Sequence, residues 1–247
     1  MTYSIIARCP RTGRFGVGST TFSMACGRRN ESVRPNVGIS KSQAYYLRHV
    51  DPLALNLLEQ GHTPQHVMRV LAAGDPDFDY RQFGIIDRYD NVVAHTGPGC
   101  NQWAGHIVGP HYAAYGNGLA GPQTVEGIVQ GFLAAPQAPV EERLMMALEG
   151  GRDAGGQMSA GRKRPERSAW IRVTGERNLP EIDVRVDLLR DGTVAELRRI
   201  LEAFKRRREY YDSRCTRPGD ATPEEDVEAA LAREGGSFIG GATELTG

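Results

Sequence analysis

Pairs of helices alternate with groups of strands along this sequence, and that order restricts the fold more than any other feature. Two helices are predicted over residues 51–61 and 63–74, where each has a capping residue and a proline at its start and a glycine at its end. A second pair is predicted over 122–134 and 140–150. The predicted strands cover 3–8, 14–22, 37–44, 83–87, 91–96, 111–115, 169–173 and 182–187. A doubly wound parallel sheet needs single helices between single strands, so this order favours an α+β domain of antiparallel sheets with helices outside.

The C-terminal part of the sequence changes in composition. Residues 193–196 (Thr-Val-Ala-Glu) form a capping box before a helix with one apolar face. After Cys215 the chain becomes acidic and rich in glycine. We therefore expect a domain over 1–215 and a tail over 216–247 that contains one helix near 223–233. The basic, glycine-rich stretch 152–167 is predicted to be a loop.

The charges argue against a nucleic-acid-binding protein. The chain has 30 basic and 30 acidic residues and no net charge. Residues 161–217 have a net charge of +6, and residues 218–247 have a net charge of −6. Nucleic-acid-binding proteins present a dominant basic face without an equal acidic block. Most of these charges are expected to be solvated.

The sequence also bears on the cellular compartment. No apolar run approaches the roughly 18 residues of a membrane span, and the first residues lack the basic and apolar regions of a secretory signal. The four cysteines show neither a C-x-x-C pair nor regular spacing, which is typical of reduced thiols. A cytoplasmic protein without membrane contact is expected.

A glycine motif over residues 116–121 matches the G-x-G-x-x-G fingerprint of dinucleotide-binding proteins. The helix after it leads into a second helix rather than a parallel strand, so the required βαβ context is missing. We interpret the motif as a tight loop that presents Asn117 or backbone N–H groups to a ligand. No cofactor is expected.

Histidine and cysteine do not fall into a metal-binding pattern. His62 and His66 lack the glutamate of an H-E-x-x-H motif, and the spacing of His95, Cys100 and His106 matches no zinc site. We therefore expect no metal. A catalytic Cys100 with His95 or His106 as its base is a further alternative, although small buried thiols are more common.

Thr2 is the sharpest chemical feature of the sequence. Removal of Met1, which is favoured when the second residue is small, would give a threonine with a free α-amine at the start of a strand. An α-amine has a pKa of about 7.7–8.0, so part of it is neutral near pH 7. One residue would then supply both a nucleophilic hydroxyl and a general base. Many unrelated proteins also begin with Met-Thr.

Several short stretches together resemble a known family. They are Thr2–Arg8, Gly13–Gly18, Ser42–Ala44, Arg81-Gln82 with Asp87, Ala94–Gly97, Cys100, Trp103–His106, Gly116-Asn117, Leu119–Gly121, Arg185–Asp187 and Ala195–Arg199. Over about residues 2–210 the sequence resembles the bacterial family of unknown function numbered ten twenty-eight, which is placed among N-terminal-nucleophile (Ntn) hydrolase-like folds.

The resemblance implies a four-layer αββα sandwich and, by analogy, hydrolysis of C–N bonds other than peptide bonds. The sequence departs from the family pattern at Phe22, where arginine is frequent, and at Lys41, where the family has a small residue. Tyr115 replaces a glutamine, and Leu188-Leu189 replaces an Asp-His pair. The substrate therefore cannot be carried over from the family.

These observations lead to one principal hypothesis and two alternatives. We expect an Ntn-type amidohydrolase acting on a small amide, ureido or cyclic-imide compound. One alternative is a cyclohydrolase that uses Arg81, His95 and Asn117 instead of residue 2, and the other is a non-catalytic ligand-binding protein. The expected catalytic residues are Thr2, His95 and Asn117, and the expected substrate-binding residues are Gln43, Arg81, Gln82, Trp103, His106 and Gly116.

The same hypothesis places these groups at one end of the domain. Polar residues gather at strand ends and loops, where clefts form. Lys41 is a further group that could lower the pKa of the Thr2 amine by the proximity of like charges. A homodimer is expected, since two-fold dimers are the most common assembly. The only other expected partner is a small-molecule substrate.

Overall fold

A six-stranded antiparallel sheet forms the larger of the two main sheets. The computed structural model describes residues 1–28, 32–175 and 181–233. The strands of this sheet lie in the order β12-β11-β2-β1-β8-β7. They are β1 (Thr2–Arg8), β2 (Phe15–Thr21), β7 (Ala104–Gly109), β8 (Tyr112–Asn117), β11 (Ser168–Thr174) and β12 (Ile182–Val186). Strand β1 is therefore central, between β2 and β8.

A four-stranded antiparallel sheet faces the first one. Its strands are β3 (Val33–Arg34), β4 (Gly38–Ala44), β5 (Arg81–Asp87) and β6 (Val92–Thr96), in chain order. One apolar cluster joins the facing sides of the two sheets, with Ile6 and Val17 from the larger sheet against Ile39 and Ile86 from the smaller. All four of these side chains are buried. Burial of such residues is the main favourable contribution to folding.

Two pairs of helices cover the outer sides of the sheets. Helices α1 (Val50–Glu59) and α2 (Pro64–Gly74) bury their apolar faces against Phe83 and Ile85 of the smaller sheet. Helices α3 (Pro122–Leu133) and α4 (Val140–Asp153) lie against the larger sheet, where the Tyr3 hydroxyl donates to the Leu148 carbonyl at 3.2 Å. The fold is therefore α+β with antiparallel sheets, as the order of predicted elements indicated.

Two strand regions differ from the prediction. Residues 104–109 form the edge strand β7, although the sequence predicted no strand there, because glycine and histidine hide the alternation. The predicted loop 152–167 contains a small hairpin of β9 (Gln157–Ser159) and β10 (Arg162–Arg164). Its turn passes through Ala160 and Gly161, both with positive φ, which glycine adopts without steric cost.

The C-terminal helices follow the prediction more closely. Helix α5 covers Thr193–Thr216, and α6 covers Glu224–Arg233. The Thr193 hydroxyl donates to the Glu166 carbonyl at 2.5 Å, and the Glu196 N–H donates to the Gly192 carbonyl at 2.9 Å. By its internal contacts the chain divides into a unit over Met1–Leu197 and a second unit that starts at Arg198, whereas the sequence suggested a boundary at residue 215. The predicted tail beyond residue 233 lies outside the described residues.

Within the described ranges, no helix is long and apolar enough to cross a membrane. All four cysteines are free thiols, and three of them are at least half-buried.

Candidate active site

The space between the two sheets is polar at one end. Side chains alternate along a strand, so Thr2, Ser4 and Ile6 of β1 all face the smaller sheet. Ile6 belongs to the apolar cluster, but Ser4 and Thr2, nearer the start of the strand, are polar. Their neighbours on the adjoining strands continue this change, because Ser19 and Thr21 of β2 pair with Ser4 and Thr2. The interior therefore changes from apolar to polar toward the first residue of β1.

Thr2 lies at the wall of a cavity of about 210 Å³ at this polar end. Its Oγ1 is 2.9 Å from Thr21 Oγ1, and Thr21 Oγ1 donates to the Met1 carbonyl oxygen at 2.7 Å. The cavity is also lined by Ser19, Arg28, Lys41 and Gln43. The Thr2 hydroxyl, which is hydrogen-bonded to the Thr21 hydroxyl, thus faces a space that can hold a small molecule.

Met1 precedes β1, and its α-amino group is partly withdrawn from solvent. Burial lowers the pKa of this amine below its ordinary value, because desolvation disfavours the charged form. Thr2 follows Met1 directly, at the start of β1. Desolvation at this end of β1 thus acts on the Met1 amine, one residue before Thr2.

Three amide side chains form one hydrogen-bonded chain beside Thr2. Gln82 Nε2 donates to the Gly116 carbonyl at 2.8 Å and is 3.3 Å from the Gly105 carbonyl, so this end of the amide must be the NH₂ group. Gln82 Oε1 then accepts from Gln43 Nε2 at 2.7 Å and from Asn117 Nδ2 at 3.0 Å. Gln43 Oε1 accepts from the Ser4 hydroxyl at 2.6 Å. Backbone carbonyls thus fix the orientation of all three amides.

Asn117 is left with a carbonyl oxygen that has no protein partner. The residue is fully buried, and its Oδ1 accepts no hydrogen bond from the described residues. Its NH₂ group already donates to Gln82. The sequence predicted Asn117 as a catalytic residue, and its Oδ1 is placed to accept from a donor group next to Thr2, with which Asn117 pairs across β1 and β8.

The hydrogen-bonded chain continues to the edge of the sheets. Gln82 Nε2 lies 3.0 Å from Thr96 Oγ1, and Thr96 Oγ1 lies 2.9 Å from His106 Nδ1. His106 is on the side of β7 that faces the smaller sheet, but it is exposed at the sheet edge and does not line the cavity. It is connected with Thr2 through hydrogen bonds without touching it.

His95 and Arg81 are on the other side of the smaller sheet. His95 pairs with Phe83 of β5, and its ring stacks on Phe78 at 4.2 Å, with Nε2 3.4 Å from the Phe78 carbonyl. The Arg81 guanidinium binds Asp75 through Nε at 2.7 Å and through Nη2 at 3.2 Å, and it also donates to the Tyr45 carbonyl. The structure therefore does not bring these two expected site residues to Thr2.

The other expected residues have packing roles. Trp103 is half-buried before β7, its ring lies against Gly105, and its carbonyl accepts from the Leu119 N–H at 3.0 Å. Gly116 is part of β8 rather than a loop, and a Cβ there would press on the Leu119 side chain and the Thr2 carbonyl. The buried Cys100 thiol contacts the Tyr80 and Arg81 carbonyls, and burial raises its pKa. Within the described ranges, no three histidine, cysteine, aspartate or glutamate side chains gather in a metal-binding group.

Sequence reasoning did not identify Ser19, Thr21 or Arg28 as site residues. The alternation of β2 contained a signal for the first two, because Ser19 and Thr21 are in phase with each other and with the polar start of β1 once the hairpin is paired. Arg28 lies in a short 3₁₀ turn (Cys26–Arg28) that had no sequence signature.

Comparison with known proteins assigns the chain to a family. The model of a family of unknown function (DUF1028) matches residues 2–197. A solved structure from Silicibacter pomeroyi, described as a DUF1028 protein, is similar with a TM-score of 0.73 and 25% sequence identity, over 83% of this chain and 89% of that chain. A search of curated proteins gives no match. Since the family model covers most of the sequence, the chain belongs to the DUF1028 family.

Proposed function

We propose that this protein is an Ntn-type amidohydrolase that cleaves a C–N bond of a small amide, ureido or cyclic-imide compound. The observation that carries the proposal is the position of Thr2, whose hydroxyl faces the 210 Å³ cavity at the first residue of a central strand. The two facing sheets with helices on their outer sides also support a four-layer αββα sandwich of the Ntn type.

In this mechanism the loss of Met1 exposes the α-amine of Thr2. The amine takes the proton of the Thr2 hydroxyl while Oγ1 attacks the substrate carbonyl carbon. The C–N bond then breaks, the leaving nitrogen receives that proton, and the acyl group remains on Thr2 as an ester. A water molecule gives a proton to the amine and attacks the ester, which releases the acid and returns the proton to Oγ1.

Thr21 is the best placed group to stabilise the oxyanion. Its hydroxyl donates to the Met1 carbonyl oxygen, so departure of Met1 leaves this donor beside Thr2 Oγ1. A preorganised donor at a developing oxyanion typically contributes about 10²–10³ in rate. Asn117 Oδ1, an acceptor without a partner among the described residues, is suited to the Thr2 ammonium or to the substrate N–H.

The test compares the mature protein with variants of residue 2. Intact mass first establishes that Met1 is absent, and turnover is then measured on a panel of small amides, ureido compounds and cyclic imides. Thr2→Ala should reduce turnover to background, and Thr2→Ser should retain part of it. Thr12→Ala, the same truncation in the distant β1–β2 turn, is the matched control and should keep full turnover.

An N-terminal tag converts the α-amine into an amide and should silence the enzyme. Full turnover by the tagged protein would contradict the mechanism and favour a cyclohydrolase that does not use residue 2. Ligand binding without any turnover by the mature protein would favour a non-catalytic binding protein.

A further inference from the structure

The cavity beside Thr2 is lined by positively charged side chains. Lys41 lies on the inward side of β4, opposite Gly84, and only 7% of its surface is exposed. Its Nζ donates to the Ser42 carbonyl at 2.7 Å. Arg28 is exposed at the same cavity, with Nη2 3.3 Å from the Tyr46 hydroxyl. Two cations thus border the space that contains the Thr2 hydroxyl.

None of the described residues that line this cavity is acidic. Two acidic residues lie next to the lining and bind other groups there. Asp51 accepts from the Ser40 hydroxyl at 3.0 Å and from the N–H of the lining residue Ser42 at 2.9 Å. Asp187 binds Arg185 at 3.2 Å. Besides Met24, Ala25, Cys26 and Ala44, the lining presents hydroxyls, one side-chain amide and positive charge.

We propose that the cavity binds amide substrates that carry a carboxylate group, with Lys41 and Arg28 as the groups that recognise it. The position of the scissile amide at Thr2 rests on the proposed function, but the carboxylate site does not. Cations and hydroxyls donate strong, charge-assisted hydrogen bonds to carboxylate oxygens. A buried ammonium is also stabilised by a nearby anion.

The size of the cavity limits the substrate. At about 210 Å³ the cavity is smaller than the pockets of roughly 300–1,000 Å³ that hold drug-sized ligands. We therefore infer a substrate of the size of an acylated or carbamoylated small amino acid. The substrate class is thus a small N-acyl or N-carbamoyl amino acid.

A matched pair of probes tests the proposal. N-carbamoylglycine and its neutral analogue N-carbamoylglycinamide differ only in the carboxylate, and calorimetry measures their binding to mature Thr2→Ala protein, which cannot form an ester. We expect the carboxylate to bind about tenfold or more tightly than the neutral amide. Equal affinity, tighter binding of the neutral probe, or no saturable binding of either at millimolar concentration would overturn the proposal.

Variants then locate the carboxylate site. Lys41→Gln should remove most of the preference for the charged probe, Lys41→Arg should restore part of it, and Arg28→Gln should weaken it. The control is Arg11→Gln, an exposed arginine that contacts Gln137 far from the cavity and should leave the preference unchanged. Thermal unfolding of each variant shows that the fold is kept. A preference that survives Lys41→Gln in folded protein contradicts the role of Lys41.

These measurements separate the two proposals. Selective binding of the carboxylate without turnover by mature protein supports this site and contradicts the amidohydrolase mechanism. Turnover that depends on Thr2 but does not distinguish charged from neutral probes supports the mechanism and overturns the carboxylate site.

Discussion

Arg81 and Gln82 are neighbours in the sequence but serve different surfaces. Their side chains point to opposite sides of β5, so Gln82 joins the amides beside Thr2 while Arg81 binds Asp75 near the end of α2. The sequence predicted that both residues bind substrate, but only Gln82 lies beside Thr2. Every residue of β5 is buried, so the residue pattern of this strand does not show which of its sides faces the larger sheet.

The Arg81–Asp75 pair leads to a prediction on acid stability. The hydrogen bond from Arg81 lowers the pKa of Asp75 in the folded protein. A lowered carboxyl pKa stabilises the fold above the unfolded value of about 3.9, and this contribution is lost as the pH falls below it. We expect Arg81→Gln to cost about 1.5–3 kcal/mol at pH 7 and to weaken the loss of stability below pH about 4.

Chemical denaturation as a function of pH measures both effects. Arg34→Gln is the control, because its ion pair with Glu59 is exposed and should contribute about 0.2–1 kcal/mol. If Arg81→Gln loses stability at low pH in the same way as the unchanged protein, the hydrogen bond from Arg81 does not lower the pKa of Asp75.

Among the elements, α3 and α4 approach each other through glycines. A Cβ on Gly131 would overlap the Met146 carbonyl oxygen, and one on Gly150 would overlap the Gly127 carbonyl oxygen. Neither overlap can be relieved by a side-chain rotation, since the opposing atoms are backbone. We predict that Gly131→Ala destabilises the protein by about 1–3 kcal/mol.

The matched control for this substitution is Gly74→Ala at the last residue of α2. A Cβ on Gly74 meets nothing within 4 Å, so the change should be neutral or stabilise by up to about 1 kcal/mol. Thermal unfolding of both variants measures the difference. Equal effects would mean that the helices can separate without cost.

The sequence predicted the elements better than it predicted the site. Helix boundaries were visible because Pro64 and Pro122 mark helix starts, and the apolar faces repeat at helical spacing. The site depends on the pairing of β1 with strands more than 100 residues away, such as β8. Thr2, Gln43, Gln82 and Asn117 were expected together and lie together, whereas Thr21 was missed because its role depends on the register with Thr2.

At the scale of the whole molecule, the basic segment 161–217 and the acidic segment 218–247 form ion pairs with each other within the second unit. Arg207 of the basic segment binds Glu228 of the acidic segment through two hydrogen bonds of 2.6 Å, and Arg214 approaches Glu224 at 3.3 Å. The acidic helix α6 therefore has partners in the same chain. We predict that deletion of residues 218–247 leaves the first unit folded, with a melting temperature changed by about 4 °C or less.

Circular dichroism and thermal unfolding of the shortened chain check this result. Loss of cooperative unfolding would mean that the first unit depends on the tail.

The sequence also predicts a homodimer. Light scattering at micromolar concentration should give twice the chain mass for the full-length protein. A monomer mass would exclude the dimer.

The one-way order of the amide chain has a consequence at the sheet edge. Thr96 Oγ1 lies 3.0 Å from Gln82 Nε2 and 2.9 Å from His106 Nδ1, so one hydroxyl joins the amide chain to the imidazole ring. Hydrogen bonds that start at two buried carbonyl groups thereby reach a ring that these carbonyls never touch. The nitrogen resonances of His106 become a spectroscopic reporter of whether the hydrogen bonds around Thr2 are intact.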